Sequence, residues 1–145
     1  MNPVFAIGLM SGTSLDGVDL VYVQFDSEMY QQFSIISAKT YAYSDVWKDQ
    51  LQQAIHFSSA KLEHLNLEYG GYLANLIRQF KDEFEIKHVD FIASHGHTVL
   101  HQPNQGVTLQ VGDGDVIAKQ TGIKTVCDFR SQDVALGDKE RLWFR

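Results

Sequence analysis

The sequence predicts a mixed α/β domain in which helices flank a mixed sheet that opens with an antiparallel meander. Two observations lead to this fold class. Three apolar runs follow one another before residue 44, and strand-like and helix-like segments then alternate along the rest of the chain. A meander followed by this alternation places helices against a sheet with both antiparallel and parallel neighbours.

Composition limits the function classes. The 145 residues suffice for one domain with its own core. The net charge of −6 and the scattered placement of the 12 basic residues argue against a nucleic-acid or anionic-membrane surface. Cys127 is the only cysteine, so an intrachain disulfide is impossible. The N-terminus lacks the basic and apolar regions of a signal peptide, and we therefore expect a cytoplasmic protein.

The meander consists of three strands. Alternating or continuous apolar residues predict strands at Val4–Met10, Val18–Phe25 and Phe33–Tyr43. The segment Ser11–Gly17 joins the first two, which predicts a hairpin between them.

Two helices are predicted after the meander. The first spans Asp45–Phe57 with Ser44 as its N-cap, and the second spans about Ala60–Phe84 with Ser59 as its N-cap. The second carries one apolar stripe at spacings of three and four. The Gly70-Gly71 pair within this stripe costs roughly 1 kcal/mol per residue relative to alanine. Close packing of the helix against the sheet is our explanation for the pair.

The rest of the chain alternates between strands and turns. A buried strand, a hairpin, a short helix closed by Gly122 and a last strand are predicted in that order. Their ranges are His88–Ser94, Thr98–His101 with Val107–Val111, Asp115–Thr121, and Ile123–Asp128.

The first hairpin has the residue types of a polyphosphate site. Gly12 and Gly17 permit positive φ and close approach of a ligand, and the backbone N–H groups of a tight turn bind anions. Hydroxyls at Ser11, Thr13 and Ser14 add donors, and Asp16 and Asp19 are oxygen ligands suited to Mg²⁺. An ordinary turn with the same residue types is the alternative. No Gly-Lys-Ser/Thr follows, so this is not a Walker motif.

Three histidines lie close together at His95, His97 and His101. On a strand the first two would share a face. A zinc site is one interpretation, and polar residues at a strand end are another.

Several polar residues follow predicted strands nearer the C-terminus. Arg130 suits a carboxylate or phosphate, although a structural pair between Asp128 and Arg130 explains both residues equally well. Helix N-capping accounts for Asp115. Cys127 is predicted to be a core residue.

Four segments, taken in order, resemble the anhydro-N-acetylmuramic acid kinase family. They are Ile7–Asp19, Ser94–Pro103, Thr108–Asp113 and Thr125–Gly137. His97 departs from the family pattern, in which glutamine is common. Both side chains donate and accept hydrogen bonds, so the departure weakens the resemblance only slightly.

The resemblance implies an actin/ribonuclease H-like ATPase lobe with ATP and Mg²⁺ as cofactors. It implies the conversion of 1,6-anhydro-N-acetylmuramic acid and water to N-acetylmuramic acid 6-phosphate, a step of peptidoglycan recycling and amino sugar catabolism. The implied nucleotide-binding residues are Gly12, Thr13, Ser14, Leu15, Asp16, Gly17, Val18 and Asp19, with Asp16 and Asp19 at the metal. The implied sugar-binding residues are His95, Thr98, Asp128 and Arg130, with Arg130 holding the lactyl carboxylate. The general-base aspartate of the family is expected beyond residue 145, so no catalytic residue is assigned here.

The last eight residues differ from the family. After Gly137 the family typically reads Gly-Gln-Gly-Ala-Pro-Leu-Val-Pro, whereas this chain reads Asp138 to Arg145. Deleting one base from a coding string for the family sequence yields the codons GAC AAG GAG CGC CTC TGG TTC CG, which encode this tail. We therefore predict an incomplete lobe over residues 1–137 and an out-of-frame tail over residues 138–145.

The truncation leads to a second functional hypothesis. It is a catalytically inactive fragment with at most residual phosphate or sugar binding, because phosphoryl transfer needs groups around both nucleotide and acceptor. Sheet edges and apolar faces left uncovered predict a homodimer or other self-association. The expected partners are otherwise the sugar and the nucleotide, with no nucleic acid and no membrane.

Overall fold

A computed structural model describes residues 3–11, 16–26, 29–102 and 107–127. For residues 29–31, 98–102, 107–109 and 127 the description covers the backbone alone. Several predictions fall outside what is described. They concern Gly12, Thr13, Ser14, Leu15, Asp128, Arg130, the side chains of Thr98, His101 and Cys127, and the tail over residues 138–145.

Seven strands and three α-helices make up the described part of the chain. The strands are β1 (Pro3–Met10), β2 (Gly17–Asp26), β3 (Met29–Ala42), β4 (Phe91–Ser94), β5 (His97–Gln102), β6 (Val107–Val111) and β7 (Thr125–Cys127). The helices are α1 (Asp45–Gln53), α2 (Ser59–Glu83) and α3 (Gly114–Thr121). Within the described ranges, no helix combines the length and hydropathy needed to cross a membrane.

Five of the strands form one mixed sheet in the order β3-β2-β1-β4-β7. The meander β1-β2-β3 is antiparallel, whereas β4 and β7 run parallel to β1. Strands β5 and β6 form a separate antiparallel hairpin. The predicted mixed sheet with an N-terminal meander and flanking helices is confirmed.

The core lies on one face of the sheet, here called the inner face. Because side chains alternate along a strand, every second residue of β1 and β2 points to this face. These residues pack with one stripe of α2, with α1 and with α3 in a single cluster. Its fully buried members include Ile7, Val18, Leu20, Tyr69, Ile77, Phe80, Ile92 and Ile117.

Local hydrogen bonds explain where the observed elements differ from the predicted ones. Strand β4 begins at Phe91 rather than at His88. Just before it, the Asp90 carboxylate accepts the Phe5 amide at 2.8 Å, and the Asp90 amide donates to the Phe5 carbonyl at 2.7 Å. The N-cap of α2 is Ser58, whose hydroxyl accepts the Lys61 amide, and the prediction of Ser59 is wrong.

The two remaining helix ends follow the prediction more closely. Ser44 caps α1 as predicted, although α1 gives way to a 3-10 turn at Ala54–His56. Gly122 ends α3 at φ 73°, in the left-handed conformation that glycine adopts readily.

The glycine pair of α2 packs against α3 and the turn before it, not against the sheet as predicted. A Cβ at Gly70 would lie 2.8 Å from the backbone oxygen of Asp113, a distance that real Cβ atoms do not occupy. Gly71 faces Gln120 of α3, with its nearest side-chain atom 3.6 Å away from such a Cβ. The first glycine therefore lets two backbones touch, and the second only faces a flexible side chain.

An aromatic cluster joins α1, α2 and the end of β3. Tyr43, Trp47, Tyr69 and Tyr72 have neighbouring ring centroids 4.8 to 6.3 Å apart. The hydroxyls of Tyr43 and Tyr69 share a hydrogen bond. Offset aromatic pairs of this kind each add about 0.5–1.5 kcal/mol beyond the area they bury.

Candidate functional site

The candidate site lies where the strand order of the sheet reverses. From β1 the chain proceeds to β2 and β3 on one side and later to β4 and β7 on the other. β1 and β4 are parallel, with Leu9 beside Ser94, so their carboxyl ends meet at one edge. Open α/β sheets bind ligands outside the carboxyl ends of strands at such a switch point. Two of the motifs found in the sequence leave the sheet here, one from each strand.

Hydrogen bonds join the first turn, which follows β1 at Ser11, to the second turn, which follows β4 at His95 and Gly96. The Ser11 hydroxyl donates a buried hydrogen bond of 2.9 Å to the carbonyl oxygen of Gly96. The His95 amide donates to the Leu9 carbonyl at 3.2 Å, which extends the β1–β4 ladder by one bond. The prediction that the Ser11 hydroxyl is a phosphate donor is therefore wrong, because this hydroxyl holds the second turn in place.

Two tyrosines support the base of the first turn. The Tyr43 amide donates to the Asp16 carbonyl at 3.3 Å, and its hydroxyl meets that of Tyr69. Burial raises the pKa of Tyr69 well above its usual value, with the neighbouring Tyr43 adding to the increase. Burial likewise raises the pKa of Tyr43. Both phenols are therefore neutral hydrogen-bonding groups near neutral pH.

The described residues of the first turn divide into buried and open positions. The Val18 side chain is fully buried in the core, so only its backbone can serve a ligand. Strand pairing requires glycine at position 17, since a Cβ there would lie 2.3 Å from the Tyr41 carbonyl oxygen. Gly17 is not among the glycines with positive φ. Its predicted positive φ is wrong.

Asp16 and Asp19 are both exposed at the open edge of the turn. One carboxylate oxygen of Asp19 accepts the Thr40 hydroxyl. Exposed carboxylates fit Mg²⁺ held through water better than a dehydrated protein cage, because Mg²⁺ dehydrates reluctantly. These two residues thus fit the metal that the sequence predicts.

Beside the second turn lies a cavity of about 260 Å³. Its wall combines the end of β4, the end of β6 and the start of α3. The lining residues are Asn66, His95, Gly96, Gln110, Val111, Gly112, Asp113, Gly114 and Asp115. His95, a predicted sugar ligand, is half-buried in this wall.

Asn66 of α2 holds one side of the cavity. Its side-chain oxygen accepts the Gly112 amide at 2.9 Å, and its side-chain nitrogen donates to Asp113 at 3.3 Å. The other carboxylate oxygen of Asp113 accepts the Val116 amide at 3.0 Å and caps α3. Asp113 is therefore the N-cap, and the assignment of that role to Asp115 is wrong. Both oxygens of Asp113 are used for structure.

Gly96 separates the two histidines of the second motif. It has φ 65°, and a Cβ there would lie 2.4 Å from the Val111 carbonyl oxygen, so only glycine fits. His95 consequently precedes the turn and lines the cavity, whereas His97 begins β5 and is 4% exposed. The expectation that both share a strand face is wrong.

His97 packs edge-on against the ring of Tyr69, with centroids 6.4 Å apart. Burial lowers the pKa of His97, which favours the neutral imidazole. Its Nδ1 has no hydrogen-bond partner among the described residues. Within those residues, no three His, Cys, Asp or Glu side chains come together as metal ligands, so the zinc interpretation gains no support from this part of the chain.

Sequence reasoning missed Asn66. The usable signal was an amide on the same helical face as Tyr69 and Leu73, one turn before Gly70. A polar side chain on an apolar stripe needs a partner, and here the partner is the turn that ends β6.

Comparison with known proteins identifies the family. A family model described as anhydro-N-acetylmuramic acid kinase matches residues 4–140. The chain belongs to this family. Membership together with the observed sheet confirms the predicted actin/ribonuclease H-like lobe.

Curated relatives of this family match nearly the whole chain. The anhydro-N-acetylmuramic acid kinase of Shewanella pealeana is 40% identical over 144 residues, which is 94% of this chain and 38% of the relative. That of Acaryochloris marina is 40% identical over 138 residues, covering 90% and 36%. That of Bacillus thuringiensis is 33% identical over 148 residues, covering 94% and 38%. The chain thus spans well under half the length of these relatives.

One solved structure shows only a distant likeness. The Aquifex aeolicus PPX-GPPA enzyme superposes with a TM-score of 0.35 at 12% identity, over 88% of this chain and 37% of that chain.

Proposed function

We propose that this lobe forms one wall of the active site of an ATP-dependent kinase. In the proposed reaction, water opens the ring of 1,6-anhydro-N-acetylmuramic acid and ATP supplies the phosphoryl group, which gives N-acetylmuramic acid 6-phosphate. Family membership supports the choice of substrate. The observation that carries the proposal is the bond between Ser11 and Gly96, because it joins the predicted nucleotide turn to the predicted sugar turn.

The first turn would bind the phosphates of ATP. Its described part presents Asp16 and Asp19 to solvent, where they would hold Mg²⁺ through water. The bound metal would neutralise charge on the phosphates. The proposed phosphate ligands also include Gly12, Thr13, Ser14 and Leu15.

The second turn would bind the sugar. His95 lines the cavity and would hydrogen-bond to sugar hydroxyls, together with Thr98. Arg130 would hold the lactyl carboxylate, and Asp128 would contact the sugar beside it. A planar guanidinium suits a carboxylate because it donates two parallel hydrogen bonds.

Catalysis would require groups from outside this lobe. Phosphoryl transfer depends on positioning and charge stabilisation around both nucleotide and acceptor, and the described residues offer one side of such a site. For the 145-residue chain by itself we therefore propose at most residual phosphate or sugar binding. In a family-length protein the same turns would take part in turnover in the cytoplasm, in peptidoglycan recycling.

A coupled ADP-release assay with the anhydro sugar tests the proposal, alongside calorimetry with ATP·Mg²⁺ and with the sugar. The Shewanella pealeana relative serves as the family-length reference. We expect turnover by that relative and none above background by the 145-residue chain. Turnover by the chain would contradict the one-wall proposal, and no turnover by the relative would contradict the assigned substrate.

Matched variants locate the binding groups by calorimetry. Asp19→Asn should weaken ATP·Mg²⁺ binding and leave sugar binding unchanged, and His95→Ala should do the reverse. Asp49→Asn is the control, because Asp49 is an exposed acid on α1 and is not among the residues that line the cavity. Equal losses in all three variants would indicate a general effect of net charge or folding instead.

A further inference from the structure

Three buried hydroxyls meet beneath the two turns at the switch point. They belong to Ser11 just after β1, to Tyr43 just after β3 and to Tyr69 in α2. Ser11 is 9% exposed, and the two tyrosines are 5% and 0% exposed. The phenols hydrogen-bond to each other, and each also has Ser11 as a hydrogen-bond partner. Neither tyrosine is among the residues that line the cavity.

The number of protons gives this hydroxyl chain a direction. Each hydroxyl has one proton to donate, and Ser11 donates its proton to the carbonyl oxygen of Gly96 at 2.9 Å. Ser11 therefore accepts from the phenols. Burial raises the pKa of both phenols, so they keep their protons near neutral pH. One phenol donates to Ser11 and the other donates to that phenol, and in either order the chain of bonds ends on Gly96. Each bond of such a chain polarises and strengthens the next.

The hydroxyl chain holds both described ends of the first turn. Ser11 lies where the backbone leaves β1, and its side chain is fixed by the phenols and by Gly96. At the other end of the turn, the Tyr43 amide donates to the Asp16 carbonyl at 3.3 Å. Tyr43 therefore contacts the first turn twice, with its amide at Asp16 and with its hydroxyl at Ser11.

The same chain holds the second turn at Gly96. The carbonyl oxygen of Gly96 accepts from Ser11, and its amide donates to the Ser94 hydroxyl at 3.3 Å. Gly96 is adjacent to His95, and both residues line the cavity. A shift of Gly96 would therefore also move His95, the proposed sugar ligand.

We propose that Tyr43 and Tyr69 are positioning residues for both ligands, because their hydroxyls set the geometry of the two turns through Ser11. The inference rests on the proposed function for the identity of the ligands, ATP·Mg²⁺ and the anhydro sugar. Since one chain of bonds holds both turns, loss of the phenols weakens binding of the two ligands together. Asp19 and His95 differ in this respect, because each of them serves a single ligand.

Phenylalanine at both positions tests the proposal, because it removes the two hydroxyls and keeps the rings. The double variant Tyr43→Phe with Tyr69→Phe leaves Ser11 without its donor. Tyr72→Phe is the matched control. The Tyr72 ring packs in the same cluster, 5.9 Å from that of Tyr69, and its hydroxyl takes no part in the described chain of bonds. Tyr69→Phe alone leaves one phenol to donate to Ser11, so it should give a smaller effect, and it repeats the test if the double variant is misfolded.

Calorimetry on the whole chain measures the effect on the ligands. The double variant should raise the dissociation constants of ATP·Mg²⁺ and of the sugar by about threefold to tenfold each, which corresponds to the loss of one hydrogen bond between neutral groups. Tyr72→Phe should change neither constant.

Hydrogen exchange separates positioning from a general loss of stability. The His95 amide donates to the Leu9 carbonyl and reports on the second turn, whereas the Ile92 amide donates to the Lys124 carbonyl within the sheet. The double variant should accelerate exchange at His95 by about threefold to tenfold more than at Ile92. The Gly112 amide, which a different side chain holds, should follow Ile92. A purely structural role would accelerate all three amides by the same factor.

Each outcome decides the positioning role. Equal acceleration at His95 and Ile92 overturns the proposal. A double variant that binds both ligands as tightly as the unsubstituted chain also overturns it, as does one that binds only one ligand more weakly. If the unsubstituted chain binds neither ligand, the proposed function fails for this chain, and the His95 amide then decides the positioning role by itself.

Discussion

The hydroxyl of Ser11 donates a 2.9 Å hydrogen bond to the carbonyl oxygen of Gly96, a residue 85 positions further along the chain. One residue follows β1 and the other follows β4, so the bond joins two turns that leave parallel neighbouring strands. Neither turn can shift without the other while this bond is intact.

Ser11→Ala should lower the free energy of unfolding by about 1–3 kcal/mol, because it leaves a buried carbonyl oxygen without its donor. Urea unfolding of the 145-residue chain measures the change. Ser34→Ala on the exposed part of β3 is the control and should change stability by less than about 0.5 kcal/mol. Equal losses in the two variants would show that the bond contributes nothing specific.

Asn66→Ala should lower stability by about 2–3 kcal/mol, since it removes hydrogen bonds to both Gly112 and Asp113. Hydrogen exchange of the Gly112 amide should accelerate at the same time, which locates the effect at the cavity wall. Gln52→Ala, on the exposed face of α1, should alter neither quantity. A slow Gly112 amide in the Asn66 variant would contradict the role assigned to this side chain.

The two adjacent glycines of α2 should respond to alanine with opposite signs. Gly70→Ala places a methyl group 2.8 Å from a backbone oxygen of Asp113 and should destabilise the chain by about 1–3 kcal/mol. Gly71→Ala meets only the end of Gln120 at 3.6 Å and should stabilise by up to about 1 kcal/mol through helix propensity. Thermal unfolding of both variants checks this. Stabilisation by both would show that α3 is free to move away from α2.

Stability should fall at mildly acidic pH in a way that depends on His97. Burial lowers its folded-state pKa below 6.5, so the unfolded chain takes up the proton first as the pH falls. The contribution from neutral His97 is present above about pH 6.5 and is lost as the pH falls towards the folded-state pKa. His97→Gln should flatten this part of the curve of unfolding free energy against pH, and His56→Gln at an exposed position should not. An NMR titration that gives His97 a pKa of 6.5 or higher would refute the prediction.

The elements were predictable because local patterns determine them. Alternating apolar residues set the strands of the meander, and one stripe at helical spacing set α2. Cap positions were less certain for a physical reason. Ser58 and Ser59 offer the same chemistry at adjacent positions, and only the observed bond to the Lys61 amide distinguishes them.

The site was predictable only in outline. Turn residues at the ends of β1 and β4 indicated where a ligand would bind, but the bond between Ser11 and Gly96 depends on which strands are neighbours. Gly17 was predicted for a ligand-binding conformation, yet contact with the Tyr41 carbonyl, 24 residues away, explains it. Long-range contacts of this kind leave no periodic trace in the sequence.

The aromatic cluster gives this lobe an optical reporter of its own. The ring of Trp47 lies 5.5 Å from that of Tyr69, and Tyr69 contacts both His97 and the tyrosine that supports the first turn. Excitation energy passes readily between rings this close, and the emission of an indole depends on the groups around it. A Trp143→Phe background would leave Trp47 as the sole tryptophan, so that its fluorescence lifetime follows rearrangement at the base of the switch point without any added label.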